Sequence, residues 1–214
     1  IWLDQAISFL EADIWRYYLV KIRPETSDSN FSYDGLQAAV NADLNDTLGN
    51  FVHRVFTFIF NYFGGVVPSP RVLTAEDEEM LAAVERAFAE VDGLLADVKE
   101  RQALEAAVQL ARDGNVYFNR REPWKLVKTN RDEAAAVLYT AAQTVGALGL
   151  LIYPFTPETS KRIIEMFEEK HRPITWQGDK PWKIPPGTKI KKPTPLFEKL
   201  TDEKLETIKA AQPS

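Results

Sequence analysis

Apolar residues recur at spacings of three and four along most of the chain, whereas the strict alternation typical of β-strands is nearly absent. In residues 12–22, for example, Ile14, Tyr18, Leu19 and Ile22 fall on one helical face. This pattern predicts an all-α protein in which amphipathic helices pack their apolar faces together.

Capping residues and glycines predict where the first long helices begin and end. Ser32 offers a hydroxyl N-cap to a helix that we expect to run to the glycine pair Gly64 and Gly65, because glycine adopts left-handed backbone angles without steric cost. Thr74 and Asp77 have the spacing of a capping box at the start of the next apolar repeat.

Prolines predict the later boundaries. Pro123 should stop or kink a helix that begins near Lys99, since proline lacks the amide proton that a helix interior needs. Thr129 or Asn130 can then cap an apolar helix that we expect to end at Pro154. A shorter helix is predicted to start at Thr156 and Pro157, where proline fits the first turn.

The amino-acid composition of the chain changes near the C-terminus. Residues 173–200 contain six prolines among several basic residues, so we expect an extended strap that lies along the bundle rather than inside it. Residues 201–214 are predicted to form a last helix or a linker. The predicted architecture is an all-α bundle of about five main helices with a proline-rich C-terminal strap.

Composition excludes several classes of site. The chain of 214 residues has 45% hydrophobic and 27% charged residues, which is typical of a globular domain. It has no cysteine and two histidines, which excludes disulfides and thiolate chemistry, makes a metal site an unfavoured interpretation and fits a cytoplasmic protein. The apolar stretch 134–155 is interrupted by polar residues, and we predict a buried bundle helix there and no membrane association.

Charge is distributed unevenly along the chain. The formal net charge of −5 argues against attraction of nucleic acid by the whole surface. Residues 76–105 hold ten acidic and three basic residues, whereas residues 120–131 hold five basic residues and one acidic residue. A local basic site on an acidic body is therefore possible from sequence.

The helix predicted over residues 50–63 is apolar except for one narrow polar stripe. Asn50, Arg54, Thr57 and Asn61 fall within about 60° of one another at 100° per residue. The stripe is compatible with a solvated outer face. It is also compatible with a surface that reads bases, because an amide donates and accepts hydrogen bonds and a guanidinium supplies paired donors.

The stretch FNRREPWKLVK places Trp124 directly after a helix-breaking proline and among basic residues. The ring could pack against neighbouring helices, as aromatic residues at helix corners commonly do. Alternatively, it could be a platform on which a base stacks while cations bind phosphate. The basic residues of this corner are Arg120, Arg121, Lys125, Lys128 and Arg131.

Signatures of catalysis are missing from the sequence. It contains no G-x-x-x-x-G-K-[ST] phosphate loop, no G-x-S-x-G elbow and no H-E-x-x-H zinc motif. The acidic run over residues 76–79 lies where carboxylates stabilise a helix N-terminus. We therefore predict no catalytic residue and no metal site in this chain.

Five motifs taken in order resemble one family. The segments ADIWRYYL, RPETSDSNF, VNADLNDTLGNFVHRVFTF, REPWKLVK and TPLFEKL are similar to the C-terminal half of methionyl-tRNA synthetases of the archaeal and eukaryotic type. The resemblance covers essentially the whole chain. It implies an all-α domain that binds the CAU anticodon of methionine tRNAs.

The resemblance also implies roles for individual residues. Trp124 matches the tryptophan that stacks on the wobble cytosine, Pro123 matches the proline that shapes its corner, and Asn50 and Arg54 match the pair that reads the anticodon. Additional contacts to the tRNA backbone are expected only from charge, polarity and position. These candidates are Asn61, Arg120, Arg121, Lys125 and Lys128.

The same resemblance divides the chain. Residues 1–31 resemble the connector that follows the catalytic domain, residues 32–172 the anticodon-binding domain, and residues 173–200 a strap that returns toward the catalytic body. The catalytic domain is expected to pack against residues 1–31 and 173–200. The chain starts inside a predicted helix without methionine, and we expect it to be part of a longer protein.

Other features of the family are not in this sequence. The HIGH and KMSKS signatures are missing, so we expect no aminoacylation by this chain alone and no cofactor bound to it. ATP is expected in the catalytic domain, and zinc is a further candidate there. Two alternatives stay open, namely an anticodon domain of another class I synthetase and a helical protein-interaction module with Trp124 as its anchor.

Overall fold

The computed structural model describes residues 3–25, 28–168 and 181–210, and in these ranges the fold is all-α, as predicted. Extended contacts in the described ranges are two isolated antiparallel bridges, Val66 with Lys189 and Phe167 with Ile190. The helices are α1 (Leu3–Phe9), α2 (Ala12–Lys21), α3 (Tyr33–Ala39), a π-helical segment (Val40–Gly49), α4 (Asn50–Tyr62), α5 (Ala75–Ala96), α6 (Glu100–Arg121), α7 (Pro123–Thr129), α8 (Arg131–Leu151), α9 (Pro157–Met166) and α10 (Asp202–Ala210).

Helix α2 lies in the predicted connector, and its aromatic residues join the core of the bundle. Trp15, Tyr17 and Tyr18 are buried there, and the Trp15 indole donates to the Ala6 carbonyl of α1 at 2.9 Å. The predicted apolar face needs one correction, because Leu19 is 55% exposed. The spacing from Ile14 and Tyr18 places Leu19 at the edge of the buried face, where the aromatic rings already fill the contact.

The long helix predicted from Ser32 to the glycine pair is present, but its middle is not α-helical. The Ser32 hydroxyl accepts from the Gly35 amide at 3.0 Å, and Gly64 and Gly65 take φ angles of 63° and 70° at the far end. Between them, Val40–Gly49 is a π-helix, in which each turn contains an extra residue. The prediction of one uniform helix was wrong in this segment.

The π-helical segment is held by partners from elsewhere in the fold. The Asn115 side chain of α6 donates to the Thr47 carbonyl at 3.0 Å, and the Thr47 hydroxyl donates to the Ala42 carbonyl at 2.8 Å. In both bonds a side chain supplies the donor for a backbone carbonyl of the segment. No local sequence signal predicts a π-helix, because its stability depends on such tertiary partners.

Helices α5, α6 and α8 form the centre of the bundle. The capping box at the start of α5 is confirmed, since Thr74 and Asp77 bond each other's backbone amides. Helix α8 is long and apolar enough to cross a membrane by length and composition, but 94% of that stretch is buried inside this bundle. The helix ends at Leu151 and not at Pro154, and residues 152–155 form a turn.

A sharp break separates α6 from α7. Glu122 adopts left-handed angles, with φ 45° and ψ 55°, and Pro123 occupies the first turn of α7. Left-handed angles are uncommon for a residue other than glycine and cost energy, so the surrounding packing must hold this corner. The predicted interruption at Pro123 is confirmed.

Residues 181–200 of the predicted strap lie on the bundle and bury several apolar side chains, while residues 173–180 fall outside the described ranges. The Gln143 side chain of α8 donates to the Ile184 carbonyl at 2.9 Å and accepts from the Ile184 amide at 2.8 Å. A Cβ on Gly146 would lie 2.8 Å from the Trp182 carbonyl oxygen, so a glycine is needed where the strap crosses α8.

Candidate nucleic-acid interface

The structure brings Arg54 of α4 next to Trp124 of α7. The guanidinium carbon of Arg54 lies 5.8 Å from the centroid of the Trp124 ring and 4.9 Å from the centroid of the Phe118 ring. Both distances are within the range of cation–π attraction. The polar stripe and the basic corner, which are far apart in sequence, therefore form one surface.

Trp124 is half-buried. Its environment fits both predicted roles, packing against the core and a surface for a stacked base. One side of the ring packs against the core through Phe118, with centroids 6.5 Å apart and planes inclined at 48°. The rest remains accessible to solvent. Glu122 and the buried Pro123 fix the direction in which the ring leaves the backbone, because both have restricted dihedral angles. The ring is thus preoriented, and part of it can receive a partner.

Arg54 is half-buried and oriented by a second partner. One terminal nitrogen of its guanidinium donates to the Asn119 side-chain oxygen at 2.9 Å. Burial lowers the pKa of Arg54, but arginine stays protonated at any pH that proteins tolerate. The described residues accept from no other N–H group of this guanidinium. It can therefore present further donors to an acceptor such as a base edge or phosphate.

The rest of the polar stripe is only partly accessible. Asn50 is exposed one turn before Arg54, and Asn61 is exposed near the end of α4. The Thr57 hydroxyl is buried and has no hydrogen-bond partner among the described residues. Phe60, which was expected to be buried with the other apolar residues of this helix, is also exposed, at 38%.

The predicted phosphate contacts do not share one environment. Arg121 has a side chain only 10% exposed, and it forms ion pairs with Glu76 at 3.2 Å, Asp77 at 3.5 Å and Glu133 at 3.2 Å. These carboxylates favour a structural role for Arg121. Arg120 is exposed, with the nearest carboxylate oxygen of Glu76 4.0 Å away.

The two lysines of the corner are accessible. Lys125 is exposed and pairs with Glu122 at 2.8 Å, an exposed contact that a phosphate can displace at small cost. Lys128 is exposed on the last turn of α7. These residues and Arg120 stay candidates for backbone contacts.

Sequence reasoning identified Asp77 as a cap but missed its second function. Besides closing the capping box, the carboxylate is fully buried and accepts from the Tyr117 hydroxyl at 2.5 Å. Burial and this hydrogen bond raise the pKa of Tyr117. Asp77 thus joins the start of α5 to the end of α6, directly before the Trp124 corner. The burial of a capping aspartate had no signal in the sequence.

A second buried carboxylate joins the connector to the helix that carries Asn50. Asp43 in the π-helical segment accepts from the Tyr17 hydroxyl at 2.9 Å and pairs with Lys21 at 2.8 Å and with Arg112 at 3.2 Å. Burial alone would raise the pKa of Asp43, but the hydrogen bonds and charges of its partners outweigh burial and lower it. The VNAD stretch gave no indication of this cluster, whose partners come from α2 and α6.

The described residues contain no group of three or more histidine, aspartate or glutamate side chains placed to hold a metal ion. The features that stand together are instead a preoriented aromatic ring, a guanidinium against its face, an exposed amide one turn away and nearby exposed cations. Aromatic rings and cations are the groups by which proteins bind unpaired bases and their phosphates.

Two protein-family models match this chain. The model described as the anticodon binding domain of methionyl tRNA ligase matches residues 67–212, and the model described as class I tRNA synthetases (M) matches residues 1–56. The ten residues between the two matched ranges, 57–66, comprise the end of α4 and the glycine turn that follows it.

Named relatives and solved structures agree with these matches. Methionine–tRNA ligase of Thermococcus kodakarensis is 38% identical over 205 residues, which cover 94% of this chain and 27% of that protein. The enzyme of Pyrobaculum aerophilum is 36% identical over 98% of this chain and 36% of its own length. The ligand-free methionyl-tRNA synthetase of Mycobacterium tuberculosis superposes with a TM-score of 0.85 at 26% identity, over 92% of this chain and 40% of that one. The chain thus spans 27% and 36% of the two curated relatives.

Proposed function

The chain belongs to the family of methionyl-tRNA ligase anticodon-binding domains, and from this premise we propose that it recognises the CAU anticodon of methionine tRNAs. The alternative of another class I synthetase is set aside, because the family match is to the methionine enzymes. The observation that carries the proposal is the 5.8 Å approach of the Arg54 guanidinium to the Trp124 ring. This approach places the polar stripe of α4 and the basic corner at Trp124 on one surface. Each of these two features is unspecific alone.

The proposed role of each residue follows from the chemistry of its side chain. Trp124 provides the platform on which the wobble cytosine stacks, and Pro123 holds its corner. Asn50 and Arg54 provide donors and acceptors to base edges. The exposed side chains of Asn61, Arg120, Lys125 and Lys128 are proposed to contact the tRNA backbone, whereas Arg121 is favoured as a support of the corner.

We further propose that the chain acts as part of a cytoplasmic methionine–tRNA ligase that attaches methionine to tRNA with ATP. The catalytic domain of that protein is proposed to pack against residues 1–31 and 173–200. The match of residues 1–56 to the class I synthetase model supports continuity with such a domain. ATP, and zinc if the enzyme carries it, would bind there rather than to this chain.

The proposal is tested by titrating the chain with methionine tRNA and with a control tRNA in which only the anticodon is exchanged. We expect tighter binding of the CAU form and an affinity that falls as salt rises, since phosphate contacts release counterions. Equal affinity for both tRNAs would contradict anticodon recognition. A helical protein-interaction module predicts no salt-dependent binding of either RNA.

A further inference from the structure

A groove runs along the pair of antiparallel helices α5 and α6, and every residue that lines it belongs to one of these two helices. It consists of two adjoining clefts of about 440 and 390 Å³, which share Ala83, Arg86 and Asp113. Helix α8 packs against both helices, but none of its residues lines the groove. From Ala75 to Leu94 the α5–α6 groove is about 28 Å long, at 1.5 Å per residue.

The floor of the α5–α6 groove is apolar and contains several small residues. Ala83, Ala87 and Ala106 line it, and their side chains end at Cβ, so a partner can approach both helix backbones closely. Leu94 is half-buried at one end, and Val116 is 55% exposed at the other. Val116 therefore belongs to a continuous apolar strip, a feature that marks interaction surfaces.

The rim of the α5–α6 groove is acidic. Five carboxylates and two guanidiniums line the groove, which gives it a net charge of −3; these residues are Glu76, Glu79, Glu90, Glu105, Asp113, Arg86 and Arg120. Glu76 and Glu105 pair with arginines outside the groove, and Arg86 pairs with Glu79 at 2.6 Å. The exposed Glu90 carboxylate binds no described residue. The groove therefore attracts cations and repels phosphate.

The charge and shape of the groove favour one kind of occupant. RNA is disfavoured by the acidic rim, and Arg120 is the one candidate RNA-binding residue that also lines the groove. A second copy docked through two-fold symmetry would place the two acidic rims against each other. A straight groove between two helices instead accepts the apolar ridge of a third helix.

We propose that the α5–α6 groove is a docking surface for a basic amphipathic helix of another protein. The apolar side chains of that helix lie on Ala83, Ala106 and Val116, and its lysines or arginines pair with Glu90 and Asp113. This inference gives a role to acidic residues of 76–105 that anticodon recognition leaves without one. It goes beyond the proposed function and does not depend on it.

The probe is a labelled synthetic peptide of about 20 residues, which is about 30 Å long as a helix. Its leucines recur at spacings of three and four on one face, and lysines occupy the other positions. A second peptide has the same composition in an order that removes the apolar face. We expect the chain to bind the first peptide about tenfold more tightly in a fluorescence-anisotropy titration, because only this peptide presents an apolar ridge to the groove.

Two pairs of variants locate the binding. Ala83→Gln places a long neutral side chain in the floor and should weaken binding about tenfold, whereas Ala89→Gln, at an exposed position of α5 outside the groove, should have no effect. Glu90→Lys should weaken binding about three- to tenfold. Asp92→Lys makes the same change of charge outside the groove and should have an effect of less than about twofold.

Thermal unfolding verifies that each variant is folded, and the pair Glu90→Lys and Asp92→Lys decides if Ala83→Gln is not. Equal binding of both peptides, or equal losses for these two lysine variants, would reduce the interaction to unspecific charge attraction and overturn the inference. Weaker binding of an RNA hairpin of the anticodon stem and loop by Ala83→Gln would assign the groove to RNA. Self-association of the wild type in sedimentation that Ala83→Gln abolishes would assign it to a second copy.

Discussion

The Arg54 guanidinium lies over the Trp124 ring at 5.8 Å and is held there by Asn119 at 2.9 Å. The Arg54 guanidinium therefore makes a structural contact and still has N–H donors that bind no described residue. Phe118, at 4.9 Å from the guanidinium, connects this pair to the core. Substitutions of Arg54 must therefore distinguish its support of the Trp124 ring from its proposed contact with RNA.

Replacement of the ring tests the stacking role of Trp124. Trp124→Ala should weaken binding of methionine tRNA by about 1 to 3 kcal/mol if a base stacks on the ring. Trp124→Phe should lose less, since it keeps an aromatic face of smaller area. Tyr153→Ala is the control, because Tyr153 is an aromatic residue with 43% exposure in the turn after α8. Unchanged affinity of a folded Trp124→Ala chain would remove this ring from the site.

Two substitutions of Arg54 distinguish the effect of its charge from the effect of its planar shape. Arg54→Lys keeps a cation but removes the planar fork, so we expect a loss of discrimination between cytosine and other wobble bases of about 1 to 3 kcal/mol. Arg54→Ala removes both and should also lower affinity for every hairpin. The measurement is a titration with hairpins that differ only at the wobble base. Equal losses for all hairpins would assign Arg54 to phosphate binding.

Local signals in the sequence predicted much of the fold. The caps at Ser32, Thr74 and Asn130 and the break at Pro123 were correct because each depends on a few adjacent residues. The π-helical segment was missed, since side chains from α6 stabilise it. The sequence assigned Arg54 and Trp124 to one anticodon site only through the family resemblance, because no residue pattern specifies which distant helices meet.

The buried carboxylate of Asp77 is expected to carry much of the stability of the α5–α6 junction. Asp77→Ala should lower the free energy of unfolding by about 2 to 5 kcal/mol, because it removes the capping box of α5, the acceptor of the Tyr117 hydroxyl and one of the three carboxylates around Arg121. Tyr117→Phe removes only the hydroxyl and should cost about 1.5 to 3 kcal/mol. Urea unfolding measures both. The neighbouring Glu78→Ala, at an exposed position, should stay near the wild-type value.

A pH-dependent stability is expected from Asp43. Its partners Lys21, Tyr17 and Arg112 hold its pKa below the ordinary value of 3.8 in the folded chain despite the opposing effect of burial. A depressed pKa stabilises the folded state above the ordinary value, and this contribution is lost as pH falls through the folded pKa. Asp43→Asn should therefore destabilise the chain at neutral pH, and its difference from wild type should shrink below pH 3.8.

The measurement for Asp43 is urea unfolding of wild type and Asp43→Asn at a series of pH values from neutral to acid. Asp92→Asn is the matched control, because Asp92 is an exposed aspartate of α5 and its substitution should give a small difference at every pH. A gap between wild type and Asp43→Asn that stays constant across the acid range would mean that packing, and not ionisation, accounts for the loss. Asp43 would then stabilise the junction of α2, the π-helical segment and α6 by shape alone, and protonation of this cluster would have no part in acid unfolding.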